Sequence, residues 1–186
     1  MPNLYVIAGP NGAGKTTSAY KVLPAMHVIE FVNADNIARG ISPLNPEGVA
    51  IQAGRVMINR MDELLNERKD FIIETTLTTL SYKGFIEKCK ANGYNIVLVF
   101  VWLNNAELAK ERVKARVSKG GHNIPEEVIE RRYYKGIKNL KNIFLSLCDG
   151  WVIIDNSGDE FSIVARFSEG SVQIFNTSIY RLITND

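Results

Sequence analysis

Near the start of the chain, Gly9-Pro10-Asn11-Gly12-Ala13-Gly14-Lys15-Thr16-Thr17 combines glycines, a lysine and two hydroxyls in one short stretch. The spacing Gly9-x4-Gly14-Lys15-Thr16 is that of a phosphate-cradling Walker A loop. Glycine lets the backbone take positive φ and approach an anion closely. The loop amides and the N-terminus of the next helix then point at the phosphate, helped by the helix dipole. Lys15 places a compact positive charge on the β- and γ-phosphate oxygens, and the Thr16 hydroxyl completes a Mg²⁺ shell of water and phosphate. All nine residues, Gly9 to Thr17, are therefore expected ATP contacts, with Thr16 the metal ligand. The apolar run Leu4-Tyr5-Val6-Ile7-Ala8 before the loop reads as a strand and the residues after it as a helix, the context this motif needs.

Three further constellations could serve phosphoryl transfer. The first, Asn33-Ala34-Asp35-Asn36-Ile37-Ala38-Arg39, follows an apolar run. A carboxylate there can take the proton of an acceptor hydroxyl or hold that hydroxyl in line with the γ-phosphate. Asp is also a common helix cap, so Asp35 carries both readings. Arg39, one turn later, can pair with Asp35 or meet an anionic substrate. The second is Glu74-Thr75-Thr76-Leu77. Glu74 closes a run of large apolar residues, an expensive place for a lone charge, so it must bond a substrate group, Mg²⁺ or a partner such as Lys15. The third is Arg112, Arg116, Gly120-Gly121-His122, Arg131 and Arg132. Two arginine-bearing helices joined by a glycine hinge suit a lid over ATP, spanning about residues 112–134. Arg112 and Lys114 read as surface residues, Arg116 and one of Arg131 and Arg132 as phosphate ligands, and His122 as a hydrogen-bonding hinge residue. The run Ile96-Val97-Leu98-Val99-Phe100-Val101 holds no acid, so no Walker B Asp is expected there. That suits a small-molecule kinase better than a mechanical ATPase.

Strands and helices must carry these residues. Strand-like runs fall at 4–8, 27–32, 70–74, 95–103 and 151–155, separated by helix-like segments at 15–23, 46–69, 82–91, 106–118 and from Pro125. Alternation of this kind implies an α/β fold: a five-stranded parallel sheet with helices on both faces and ligands at the strands' carboxyl ends. Ser162 to Phe167 and Val172 to Phe175, around Ser168-Glu169-Gly170-Ser171, read as a C-terminal β-hairpin. A length of 186 residues fits one domain, taken as residues 1–186. A hydrophobic share of 46% with 23% charged residues is ordinary for a globular chain. The net charge of +2 is too mild to imply a nucleic-acid partner, and only Arg131-Arg132-Tyr133-Tyr134-Lys135 mixes basic and aromatic residues. The longest apolar run, Ile96 to Leu103, is too short to span a bilayer, and no secretory signal precedes the first strand, so a cytoplasmic location is expected. Cys89 and Cys148 lack metal-ligand spacing and read as buried free thiols.

Taken in order, these motifs resemble the zeta toxin family of small kinases. The resemblance rests on the Gly9 to Thr17 loop, Asn33-Ala34-Asp35-x-x-Ala38-Arg39, Glu74-Thr75-Thr76-Leu77, Arg116-Val117-x-x-Gly120-Gly121-His122-x-Ile124-Pro125, Arg131-Arg132-Tyr133 and Asp155-Asn156-Ser157. It implies an adenylate-kinase-like P-loop NTPase fold and phosphorylation of the amino-sugar 3′-hydroxyl of UDP-N-acetylglucosamine, with ATP and Mg²⁺ as cofactors. It also implies Asp35 as catalytic base, Lys15 and Thr16 on phosphate and Mg²⁺, Glu74 and Thr76 on the acceptor sugar, and Arg116 on the phosphates. The spacing from Arg116 leaves the second lid arginine open between Arg131 and Arg132. An antitoxin-like protein inhibitor is the implied partner, beside the small-molecule substrate. The chain is shorter than the larger toxins of that family. Two other readings stand beside it: a kinase of another acceptor (a nucleoside, an antibiotic or a 5′-hydroxyl nucleic-acid end) and a non-catalytic nucleotide-binding regulator.

Overall fold

The computed structural model describes residues 1–19, 28–121 and 123–184. Five apolar runs form parallel strands: β1 (Asn3–Ala8), β2 (Phe31–Val32), β3 (Phe71–Thr75), β4 (Asn95–Trp102) and β5 (Gly150–Asp155). Two more, β6 (Ser162–Ser168) and β7 (Ser171–Ile174), continue the same sheet antiparallel, giving the order β2-β3-β1-β4-β5-β6-β7. β1 lies between β3 and β4, and both of its faces are covered. Leu4, Val6 and Ala8 enter the larger core with Met57, Met61, Phe71, Ile86 and Leu98, while Ile7 packs on the other face with Ala19, Ile72 and Val99. A strand buried on both sides reads as an unbroken apolar run, which is how β1 and β4 look in the sequence. The neighbours of β1 are the later strands β3 and β4, so the chain order changes direction there and a crevice opens at the strands' carboxyl ends.

The expected hairpin forms, and its turn explains why. Glu169 and Gly170 both take positive φ, 53° and 76°, the pairing that a two-residue primed turn demands. The expected strand over 27–32 shrinks to Phe31–Val32. It sits at the sheet edge, with Phe31 in register with Ile72, Val32 with Ile73 and the Glu30 carbonyl accepting the Ile72 amide at 2.8 Å, while Ile29 is 91% exposed and the Glu30 carboxylate turns to Arg60. Residues 15–19 are helical; the expected remainder of that helix, the start of the 27–32 run and His122 lie outside the described residues. The helix expected over 46–69 begins with a 3₁₀ turn, Glu47–Val49, and runs as Ala50–Asn66 until Arg68 takes φ 55°. The helix after Pro125, Glu126–Asn139, passes through a π-helical segment, Leu140–Phe144, into Leu145–Leu147. A terminal helix, Thr177–Thr184, has no counterpart in the sequence-based expectations. Its cap is Asn176, whose Oδ1 accepts the Ile179 amide, and it buries Ile183 in the larger core.

Helices Ala106–Val117 and Glu126–Asn139, which carry the candidate lid arginines, are bridged by a lysine. Lys110 Nζ bridges Glu107 and Glu130, 2.7 Å from each. Val113, Ile124, Ile129 and Tyr133 form a separate apolar cluster beneath them with Ala13 of the loop, and the Tyr133 hydroxyl donates to the Leu103 carbonyl at 2.7 Å. Among the described residues no helix is long and apolar enough to cross a membrane.

Candidate active site

β1 delivers its loop into the centre of the crevice, against the ends of its neighbours. Gly9 has φ 146°, and a Cβ there would stand 2.2 Å from the Val101 carbonyl of β4; at Gly12, φ 77°, it would stand 2.7 Å from the Ala109 carbonyl. Both positions thus need glycine for backbone angle and for space. The end of β5 buttresses the loop, since Asn156 Nδ2 donates to the Ala13 carbonyl at 2.8 Å and the Asn156 amide to the Trp102 carbonyl at 3.0 Å. Within the loop, Gly9, Pro10 and Ala13 are buried and do not line the cavity. Asn11, Gly12, Gly14, Lys15, Thr16 and Thr17 face a cavity of about 870 Å³.

Glu74 is the hub of the polar contacts there. Its Oε2 accepts from Thr16 Oγ1 and Asn33 Nδ2, both at 2.7 Å, and its Oε1 lies 3.8 Å from Lys15 Nζ. Lys15 also donates to the Pro10 carbonyl at 3.0 Å. Burial holds the Lys15 ammonium below its ordinary pKa, against the opposing pull of Glu74 first and Asp35 second, while Arg116 and Arg132 lower it further. The sequence of β4 offers no Walker B acid; the carboxylate beside the loop stands on β3, where Glu74 pairs in register with Ile7 of β1. β4 flanks β1 on the other side, and its end serves as the floor under Gly9. A short apolar run closing on an acid was the available signal, but its meaning depends on β3 lying next to β1.

Asp35 is not the helix cap. Asn33 Oδ1 accepts the Asn36 amide at 2.9 Å and caps helix Ala34–Ile41, leaving the exposed Asp35 in the first turn on the cavity wall. Asn33 therefore joins two tasks, the cap through Oδ1 and Glu74 through Nδ2. Arg39 lines a separate depression of about 540 Å³ with Arg112, Arg116 and Lys119. Arg112 corrects the surface expectation: half-buried beside Gly12, its Nη2 lies 3.4 Å from the Ser157 carbonyl, and it lines both the cavity and the depression. Lys114 is exposed, as expected. Arg116 lines the cavity. Of the open pair, Arg132 is half-buried on its wall, with Nη1 3.5 Å from Asn11 Oδ1, whereas Arg131 is exposed and off it. The rest of the lining includes the hydroxyl-bearing Thr76, Thr78, Thr79 and Ser81 together with Met57, Met61, Tyr82 and Phe85.

The family model described as Zeta toxin matches residues 1–165. An uncharacterized protein of Haemophilus influenzae is 34% identical over 125 residues, covering 67% of this chain and 88% of its own. Among solved structures, a chain of the AvrRxo1-ORF1:AvrRxo1-ORF2 complex determined with ATP superposes with a TM-score of 0.80 at 17% identity, over 99% of this chain and 64% of that one. A chain of the PezAT chromosomal toxin–antitoxin system of Streptococcus pneumoniae superposes with a TM-score of 0.71 at 18% identity, over 100% of this chain and 80% of that one. The chain thus spans less than two thirds of the AvrRxo1 chain it matches. The superpositions show an α/β P-loop kinase-like fold.

Proposed function

The chain belongs to the zeta toxin family, and from that premise we propose that it is an ATP-dependent kinase that phosphorylates a hydroxyl of a small molecule. The observation that carries this reading is the convergence of a Walker A lysine and threonine, two carboxylates and three arginines on one cavity. The loop amides and Lys15 take the β- and γ-phosphates of ATP, and Arg116 and Arg132 meet the charge that builds on the transferred group. Mg²⁺ accompanies the nucleotide. The oxygens of Thr16 and Glu74, 2.7 Å apart beside the loop, are a hard donor set that fits it and would hold it. When bound, Mg²⁺ supplies charge neutralisation at the β- and γ-oxygens.

Asp35 orients the acceptor hydroxyl and takes its proton as the new O–P bond forms and the bond to the β-phosphate oxygen breaks, releasing ADP. Glu74, through Lys15, Thr16 and Asn33, keeps the phosphate-binding groups in place. The segment 112–134 acts as a lid within a single domain, residues 1–186, and excludes water from the transfer. A lining that mixes hydroxyl-bearing residues with apolar ones suits a sugar ring, with polar edges and an apolar face. This supports UDP-N-acetylglucosamine as the first acceptor, with Thr76 on the sugar and Arg39 on an anionic part of the same molecule. A cytoplasmic location and an antitoxin-like inhibitor complete the proposal.

The test is incubation with ATP, Mg²⁺ and UDP-N-acetylglucosamine, with the products read by mass spectrometry. A sugar nucleotide heavier by one phosphoryl group, absent with Lys15→Ala, is expected. Lys15-dependent product from a different metabolite would keep the kinase and replace the acceptor. ATP binding without any transfer would favour the nucleotide-binding regulator.

A further inference from the structure

Helix Glu126–Asn139 presents Arg132, Gly136 and Asn139 at i, i+4 and i+7, which places them along one face. Arg132 faces the cavity. One turn on, Gly136 lies so close to the segment after β3 that a Cβ would stand 2.6 Å from the Thr76 carbonyl oxygen. Asn139, only 8% exposed, donates from Nδ2 to the next carbonyl, that of Leu77, at 2.6 Å. Two successive carbonyls of one loop are thus seated on the helix that carries the candidate lid arginine. The same loop lines the cavity through Thr76, Thr78 and Thr79.

The loop does not hold this shape by local preference. Leu77 is fully buried at φ 57°, a backbone region that branched L-residues rarely occupy. Its amide is held by Thr75 Oγ1 at 3.0 Å and its carbonyl by Asn139. The helix is irregular at the same point, since Asn139 immediately precedes the π-helical Leu140–Phe144; such segments recur at functional places. A buried asparagine near a helix end has to place its amide somewhere, and this one places it on the loop.

We propose that Asn139 and Gly136 are positioning residues that fasten the acceptor-facing loop to the Arg132 helix, so that loop and arginine respond together when the nucleotide site fills. The inference rests on the kinase reading of the cavity. An acceptor engaging Thr76 and Thr78 thereby biases Arg132 toward the phosphates, and filling the phosphate site orders the loop that receives the acceptor.

The experiment is hydrogen–deuterium exchange on the full chain, with and without Mg²⁺, ADP and aluminium fluoride, a mimic of the transferring phosphoryl group. In the wild type the mimic is expected to slow exchange at residues 9–17, 126–139 and 75–79. In Asn139→Ala the first two regions stay protected, while the induced protection at 75–79 falls by about tenfold, within the usual range of coupling between sites. Gly136→Ala is the second variant: alanine favours the helix, so the chain should fold while the added methyl separates helix and loop. It should show the same selective loss. A merely structural role would change basal exchange without changing the ligand-induced difference. Induced protection at 75–79 that is equal in variants and wild type, or missing from the wild type, overturns the proposal. Absence of protection at 9–17 in the wild type would bring down the kinase reading itself, and this inference with it.

Discussion

Asn33, and not Asp35, caps helix Ala34–Ile41, and this makes Asp35 testable as a base. Because Asn33 Oδ1 already holds the Asn36 amide, the Asp35 carboxylate has no capping role to lose. Asp35→Asn should leave stability within about ±0.5 kcal/mol, as for other surface changes, while kcat falls by roughly 10²–10⁴. Thermal unfolding and kcat measured on the same sample check this; an unchanged kcat would remove Asp35 as the base. Lys15 gives a second test, through pH. Transfer needs its charged form, so kcat/KM should fall as pH rises through its lowered pKa. Stability moves the other way. Between that lowered value and the ordinary lysine value of about 10.4, the unfolded chain keeps a proton that the native chain has shed, so the Lys15 contribution rises with pH. Bound phosphates favour the ammonium and lift its pKa, so the alkaline limb of kcat should lie above that of kcat/KM. Coincident limbs would take Lys15 out of the titration.

At the scale of elements, the site sorts into what local sequence decides and what only sheet order decides. The loop was legible because its glycines, lysine and threonine are contiguous and follow a strand. The hairpin was legible because Glu169-Gly170 is turn chemistry between two apolar runs. Glu74 was singled out as needing a partner, but its place beside Thr16 depends on β3 pairing with β1, a contact across most of the first half of the chain. Arg112 looked like a surface residue because its target, the Ser157 carbonyl, lies at the far end of β5. The terminal helix was missed although Asn176-Thr177-Ser178 ahead of Ile179 and Ile183 carries a cap signal, since the hairpin before it absorbed the reading of the tail. The helix face turns the choice between Arg131 and Arg132 into a prediction. Arg132→Ala should lower kcat by about 10²–10³, the scale of a lost transition-state contact, with KM for ATP little changed. Arg131→Ala, at an exposed position, should leave both near wild type. Equal losses in steady-state kinetics of the two variants would remove the distinction.

Across the whole molecule, two cores clasp β1 and fix the crevice, and both cysteines belong to the larger one. Burial pushes the thiols of Cys89 and Cys148 up to about 12, so thiolate is scarce at neutral pH. Native protein should therefore resist iodoacetamide at about pH 8, whereas denatured protein reacts at both sites, near the ordinary cysteine value. Rapid native alkylation, read by intact mass, would mean that the core opens readily around them. The tail beyond residue 165 is also part of the fold. β7 completes the hairpin with β6, Phe167 stacks on Trp151 with ring centroids 5.9 Å apart, and Ile183 enters the core.

The most direct test of the central claim, phosphoryl transfer at this cavity, is to supply γ-phosphate-labelled ATP and Mg²⁺ with UDP-N-acetylglucosamine and a panel of hydroxyl-bearing metabolites, using wild type and Lys15→Ala in parallel. Label should move to one small molecule with wild-type protein. It should not move with Lys15→Ala, whose thermal unfolding, measured on the same sample, shows that the variant is folded. Label that stays on ATP with every acceptor, or that moves as fast with Lys15→Ala as with wild type, would contradict the account.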